Sequence, residues 1–394
     1  MMINVDYCVF GGGMIGSAAA LGLARLGYSV AVVEAQEPHG FDPTELPDLR
    51  VSALNRYTQK LLADYAVWDD VLAMRAQAYN KLSVWEQANS ALHFEAAELG
   101  ESYLGHFVEN RVLQLALLNK LKSDYASKVS IHYSKAKHVK LGFEYDKNNE
   151  ANVQLGNGEA ISARCLIAAD GGFSQLRDIA SIGITGWQYK QKANVFLVKM
   201  KADFEPQTWQ EFTPNGPLAF LPLFNGYASL VWYADVQQSS RLATATLLQC
   251  KEMIVQAFPP LLADFDLLDK ISFGLRRMHA NQYWRENLVL LGDAAHQINP
   301  LAGQGVNLGF KDVGALIESI KINPISIASQ QAFVDYERAR RPQNLLMMTA
   351  MDGFYHTFSN NIRPLKRIRN LGVKAANAGG FLKQRVLKYA MGIE

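Results

Sequence analysis

The chain has 394 residues, of which 49% are hydrophobic and 19% charged, and its net charge is only +2. That length allows more than one packed unit and a sizeable core, and the near-neutral balance excludes a chain built globally for nucleic acid. The three cysteines, Cys8, Cys165 and Cys250, lie far apart in apolar contexts, which excludes a disulfide framework; the eight histidines show no metal-ligand spacing with them, so no metal site is expected.

In chain order, residues 5–10 read as a buried strand, followed by a glycine turn and an Ala/Leu-rich helix ending near Gly27. Residues 30–33 form a second buried strand closed by Glu34. The uncharged run 7–24 is broken by glycines and has a strand–turn–helix rhythm, so it reads as neither a leader nor a membrane anchor. No other run is long enough to span a bilayer. The expectation is a cytoplasmic protein whose membrane contact, if any, is peripheral.

Residues 39–48 read as a loop and 52–62 as a helix. Residues 82–95 are strand-like, 109–121 helical, and 129–161 rich in β-structure, with turns at 146–149 and at Asn157-Gly158. Residues 165–169 form another buried strand ending at Asp170. Strands at 193–201, 218–224 and 228–234 and one amphipathic helix at 242–258 predict an antiparallel sheet inserted before the strand 288–291. From Gln330 onward the pattern is helical, broken near Pro364 and Gly379-Gly380. The chain from Arg363 to its end carries eight Lys or Arg against one acid. That stretch fits three uses: contact with anionic lipid, docking to other enzymes, or a solvated helix face.

Gly11, Gly13 and Gly16 make a G-x-G-x-x-G turn directly after a strand, with Glu34 closing the next strand. The first glycine permits the tight turn, the second lets backbone approach a pyrophosphate, and the third lets helix pack on sheet; the acid can accept from ribose hydroxyls. Met14 and Ile15 lie within this turn. Two further strand-end turns carry an acid beside glycine: Asp170-Gly171-Gly172, and Gly292-Asp293-Ala294-Ala295-His296. The second leads through Asn299-Pro300 and Gly303-Gln304-Gly305 to Asn307-Leu308-Gly309 at a helix start, whose free N–H groups and dipole favour an anionic ligand edge. Taken singly, either turn could be a helix cap. For His296 the expected role is a structural hydrogen bond, with catalysis as the alternative.

With these motifs the chain resembles the single-component FAD-dependent aromatic hydroxylases typified by 4-hydroxybenzoate hydroxylase. Within them it resembles the ubiquinone-biosynthesis branch, through Gly292-Asp293-Ala294-Ala295-His296, Pro300, Gly303-Gln304-Gly305 and Asn307-Leu308-Gly309. Phrases around Trp209, Phe220-Leu221-Pro222, Val231-Trp232-Tyr233 and Phe358-Ser359-Asn360-Asn361 resemble the branch members that act late on the ring. The resemblance implies an α/β fold: a Rossmann-like FAD-binding domain (1–75, 98–180, 275–325), an inserted antiparallel substrate domain (76–97, 181–274) and a helical C-terminal segment (326–394). It implies FAD held by the first glycine turn, Glu34, Arg50, Arg111, Asp293 and the run from Pro300 to Asn307, with Asp170 near the reductant path. Arg111 matches by position only and reads equally as a solvated arginine at a helix start.

The resemblance further implies NAD(P)H as transient reductant and O₂ as co-substrate. A polyprenylated benzoquinol would be hydroxylated through a C4a-hydroperoxyflavin, with no residue assigned as an acid or base. Phe220, Pro222, Trp232 and Tyr233 are the candidate substrate contacts, although alternating strand residues fit plain core equally well. The rival readings are a hydroxylase of small soluble phenols, a prenyl-chain reductase, and a flavin-binding scaffold without turnover.

Overall fold

The computed structural model of the protein describes residues 2–86, 91–142, 150–299, 303, 305–324, 330–358, 388 and 391–392. Two large sheets organise them. In the first, five strands run parallel in the order Leu288–Leu290, Ala160–Ala168, Met2–Phe10, Val30–Glu34, Val129–Tyr133. Such a sheet is covered on both faces, so its strands are apolar throughout, and Val9, Val30, Ala31, Val32, Leu288 and Val289 are sealed from water. Helix Met14–Arg25 packs between helices Asn110–Asp124 and Gly305–Ile322. Strands Ala136–Lys140 and Ala151–Leu155 extend the sheet antiparallel from Ala160–Ala168.

The second sheet has the order His296–Gln297, Phe265–Ala280, Ile184–Met200, Tyr227–Asp235, Gly216–Pro222, Gln207–Thr213, Lys81–Trp85, Leu92–Glu95. It is antiparallel except where Gln207–Thr213 pairs parallel with Lys81–Trp85. A small sheet of Val51–Leu54, Gly105–Glu109 and Gln77–Tyr79 lies apart from both by pairing.

Three expectations are corrected. The helix at 52–62 begins only at Arg56, because Asn55 caps it by accepting from the Thr58 N–H, and Val51–Leu54 is a strand. The single helix at 242–258 is two, Val236–Thr244 and Leu247–Ala257; Thr246 with Gln249 forms a capping box that starts the second. The strand at 193–201 begins nine residues earlier, as Ile184–Met200, and pairs along its length with Phe265–Ala280. Helix Gln331–Phe358 continues through Pro342. The turn at 146–149, Pro364, Gly379-Gly380 and the basic residues Arg363 to Arg385 lie outside the described residues, while Lys388 is exposed. Among the described residues no helix is long and apolar enough to cross a membrane.

Candidate functional site: three strand ends meeting in one groove

Register brings the three predicted turns together. Phe10 pairs with Ala168, and Ala168 with Leu290, so three adjacent parallel strands end side by side. Ligands of open parallel sheets bind at such carboxyl ends. Packing draws the turns closer still. A Cβ on Gly11 would lie 2.3 Å from the Ala169 carbonyl oxygen, and one on Gly16 1.8 Å from the Gly11 oxygen. Gly11 also has φ +93°, a conformation that favours glycine. Ile15 is the junction: its side chain lies 3.3 Å from where a Cβ of Gly292 would be and 2.7 Å from that of Gly309.

Gly13 differs from its neighbours, since a Cβ there would meet nothing within 4 Å. The turn therefore presents bare backbone to open space, as a cradle for a phosphate-bearing ligand requires. At the next strand end, Glu34 accepts from the Gly12 N–H at 2.7 Å and from the Gln36 N–H at 3.3 Å. Gln114 donates to the Gly12 oxygen at 2.8 Å, a support that the sequence did not signal.

Asp293, just beyond the end of strand Leu288–Leu290, is open to solvent yet crowded by protein, which raises its carboxyl above the usual range; His296, Gln297 and Arg50 act in the opposite sense. Gln297 donates to it at 3.3 Å. Arg50, near enough to act on Asp293, holds its guanidinium 5.4 Å over the Phe273 ring and is exposed. Asp170 accepts through one oxygen from the Gln175 and Leu176 N–H groups, which gives the helix-cap reading real geometry. Its other oxygen is buried without a partner among the described residues, and burial pushes the carboxyl up.

Asn307 spends its side chain on protein. Its oxygen accepts from Asn55 N and Thr58 Oγ1 at 3.0 and 2.8 Å, and its nitrogen donates to the Ala53 oxygen at 2.8 Å. It pins Ala53, Asn55 and Thr58 to the start of helix Gly305–Ile322. Gly303, at φ +61°, sits against Ala53. Pro300 and Gln304 lie outside the described residues. Arg111 turns its guanidinium to the loop at 39–48, donating to Asp48 at 3.0 Å, Glu45 at 3.1 Å and the Gly40 oxygen at 2.8 Å; the Asp48 hydrogen bond leads in raising its pKa.

His296 has the structural bond expected of it, to Asp312 on helix Gly305–Ile322. Asp312 was not anticipated, nor were Arg340 and Asn344, which reach its other oxygen from helix Gln331–Phe358 at 2.9 and 3.0 Å. A lone acid on the apolar stripe of one helix, with Arg340 and Asn344 one turn apart on the next, was the available signal. Arg177 was also missed as a link: it donates to the Ala294 and Gly172 oxygens at 3.0 and 3.1 Å, tying the second turn to the third.

The four candidate substrate residues divide between the two faces of the sheet. Strand residues alternate between faces. Phe220 and Trp232 belong to a core with Phe196, Trp209, Leu242, Ile254 and Phe258, on the face covered by the two middle helices, and Pro222 pairs with Ala228 of that core. Tyr233 and Val231 point the other way, into a cluster with Leu275, Ile298, Leu308, Met347 and Met351, beside the groove. Leu221 and Leu223 face that side too, against Leu49, Val51 and Ala53.

The FAD binding domain family matches residues 4–350, and the chain belongs to that family. It is 42% identical, over 98% of both chains, to the 3-demethoxyubiquinol 3-hydroxylase of Escherichia coli (strain K12). It is 30% identical to the mitochondrial ubiquinone biosynthesis monooxygenase COQ6 of Danio rerio, over 98% of this chain and 89% of that protein. Among solved structures, the p-nitrophenol 4-monooxygenase PnpA of Pseudomonas putida DLL-E4 shares the fold, with a TM-score of 0.81 over 99% of both chains at 18% identity. The chain is an FAD-dependent monooxygenase of the aromatic-hydroxylase type. Its groove fits that cofactor: the open cradle at Gly13, the unpartnered Asp170 oxygen and the open Asp293 carboxyl are what a dinucleotide with ribose and ribityl hydroxyls calls for.

Proposed function

We propose that this chain hydroxylates the ring of a polyprenylated benzoquinol, the 3-demethoxyubiquinol named for its relative, in ubiquinone biosynthesis. One observation favours this over a small anionic phenol. The inner sheet face beside the groove is apolar (Leu221, Val231, Tyr233, Phe273, Leu275), Arg277 on it is paired with Asp352, and Arg50 is given in this reading to the cofactor. A carboxylate substrate would want a free cation there.

In this reading the backbone at Gly11, Gly13, Met14, Ile15 and Gly16 receives the FAD pyrophosphate, and Glu34 the adenosine ribose. Asp293, with Gly292 behind it, takes the ribityl or pyrophosphate portion, and Arg50 supplies positive charge opposite. The start of helix Gly305–Ile322, preceded by Pro300, Gly303 and Gln304 and braced by Asn307, lends its dipole to the ring system. Bound FAD, reduced by NAD(P)H and reoxidised by O₂, supplies the oxygen-transfer chemistry. The protein orients the quinol ring and excludes water. Residues 76–97 and 181–274 form the substrate-facing unit, and the remainder up to 325 the cofactor unit. A polyprenyl tail resides in lipid, and the basic residues between Arg363 and Lys388 offer charge to an anionic surface or to neighbouring enzymes of the pathway.

The test is oxygen uptake by FAD-loaded protein with NADH or NADPH and a short-chain demethoxybenzoquinol, with the product weighed. The expected result is a product heavier by one oxygen and no product from 4-hydroxybenzoate. Uptake stimulated only by small phenols, or FAD bound without any substrate-stimulated turnover, would overturn the reading.

A further inference from the structure

We infer that Tyr189 makes the site selective for the reduced, quinol form of the ring, by presenting a hydroxyl oxygen whose own proton is committed to Asp352. The inference rests on the proposed quinol substrate and names a residue that reads its oxidation state.

Tyr189 lies in strand Ile184–Met200 between Gln188 and Lys192, where pairing with Phe265–Ala280 slips register. Such bulges re-aim side chains. The ring is turned onto the inner-face cluster of Tyr233, Leu275, Ile298 and Met351, with an edge contact to Tyr355 at 4.9 Å. Its hydroxyl donates to one oxygen of Asp352, from helix Gln331–Phe358. The other Asp352 oxygen accepts from Arg277 Nε at 2.6 Å, and the Arg277 guanidinium is capped by the Trp187 ring at 4.4 Å. With its other oxygen taken by the Arg277 donor, Asp352 is the acceptor in its bond with Tyr189. The tyrosine proton is therefore fixed in that direction, and the hydroxyl oxygen is left with only the capacity to accept. Burial, then the Asp352 hydrogen bond, holds the phenol well above its usual pKa, so it stays neutral. Asn299, whose amide nitrogen and oxygen are both buried without a hydrogen-bond partner among the described residues, lies beside the same hydroxyl and acts on its pKa in the opposite sense, as a neighbouring donor.

A quinol and its quinone have nearly the same shape and differ in hydrogen bonding. The quinol hydroxyl donates, whereas the quinone oxygen only accepts. Opposite a committed acceptor the quinol gains a bond, and the quinone sets lone pair against lone pair in apolar surroundings. A site built this way rejects the analogue that cannot pair.

The experiment titrates FAD-loaded protein, without NAD(P)H and without oxygen, with a short-chain demethoxybenzoquinol and with the matching benzoquinone, following the flavin absorbance. Wild type is expected to bind the quinol about 10-fold more tightly. Tyr189→Phe is expected to abolish that preference, chiefly by weakening the quinol, with FAD content and melting temperature near wild type. A wild type that binds both forms equally overturns the inference and leaves the proposed function standing, and this arm decides even if the variant does not fold. An unchanged ratio in Tyr189→Phe also overturns it. Protein that retains no FAD, or whose flavin responds to neither ligand, overturns the proposed function and the inference together.

Discussion

His296 Nε2 and Asp312 Oδ2 lie 2.5 Å apart, and neither side chain reaches water. Asp312 also takes Arg340 and Asn344 on its other oxygen, so one carboxylate joins the third strand-end turn to helices Gly305–Ile322 and Gln331–Phe358. Burial pushes its carboxyl up, but His296 and Arg340 outweigh that and leave it below the usual range. Removing the charge strands a buried arginine. Asp312→Asn is expected to cost about 3–5 kcal/mol in urea unfolding of the cofactor-free protein. A loss below about 1 kcal/mol would mean that the cluster relaxes and does not brace the turn.

Acid should weaken the fold well before Asp312 titrates. His106 and His279 are buried and held at about 4, chiefly by burial, against an ordinary 6.5. Between those values the unfolded chain binds protons that the folded chain refuses, so stability falls as pH drops from 6.5 towards 4. Urea midpoints across that window should show the slope, and His106→Gln should flatten it. Identical slopes for variant and wild type would refute the assignment.

Asp293 carries the opposite sign. Its pKa is raised by crowding, so its ionisation at neutral pH costs the folded, cofactor-free state. Asp293→Asn is expected to melt about 1–2 °C higher without FAD at pH 7.5 and to retain less FAD than wild type. Equal FAD retention would remove Asp293 from the cofactor groove.

Gly13 and Gly16 separate cradle from packing. Gly16→Ala drives a methyl into the Gly11 carbonyl and should destabilise the fold. Gly13→Ala meets no protein atom, so it should leave the cofactor-free melting temperature within about 2 °C while lowering FAD affinity by about 10-fold or more. Undiminished affinity in Gly13→Ala would place the pyrophosphate elsewhere.

The two sheet faces should respond differently. Phe220→Ala empties a core position under the middle helices and should cost about 3–5 kcal/mol of stability with little change in KM. Val231→Phe adds bulk on the groove side and should raise KM for the quinol at near-native stability. The reverse pattern would put the substrate on the other face.

What the sequence made legible follows from how few residue types a position tolerates. Gly11 and Gly16 are legible because carbonyl oxygens occupy the space a side chain would need, and Glu34 because an acid at the end of an apolar strand is out of place. The two-helix break at Thr246 was legible in principle through Gln249, three residues on, but the amphipathic stripe runs past it. Strand alternation at 230–233 shows two faces without saying which meets the ligand, because both are apolar: one is covered by helices, the other borders the groove. The Asp312 cluster stayed hidden because its members are distant in the chain and become meaningful only when two helices are packed.

The groove draws Gly11 from the first part of the chain, Asp170 from the middle, and Asp293 with the helix behind it from the last third. A ribosome must therefore release most of the polypeptide before there is anywhere for flavin to sit. Cofactor capture then comes late in synthesis or after it, and every molecule passes through an empty form. In a cell short of flavin, that precursor is the species that proteases meet, so vitamin supply would set the abundance of this protein as well as its activity.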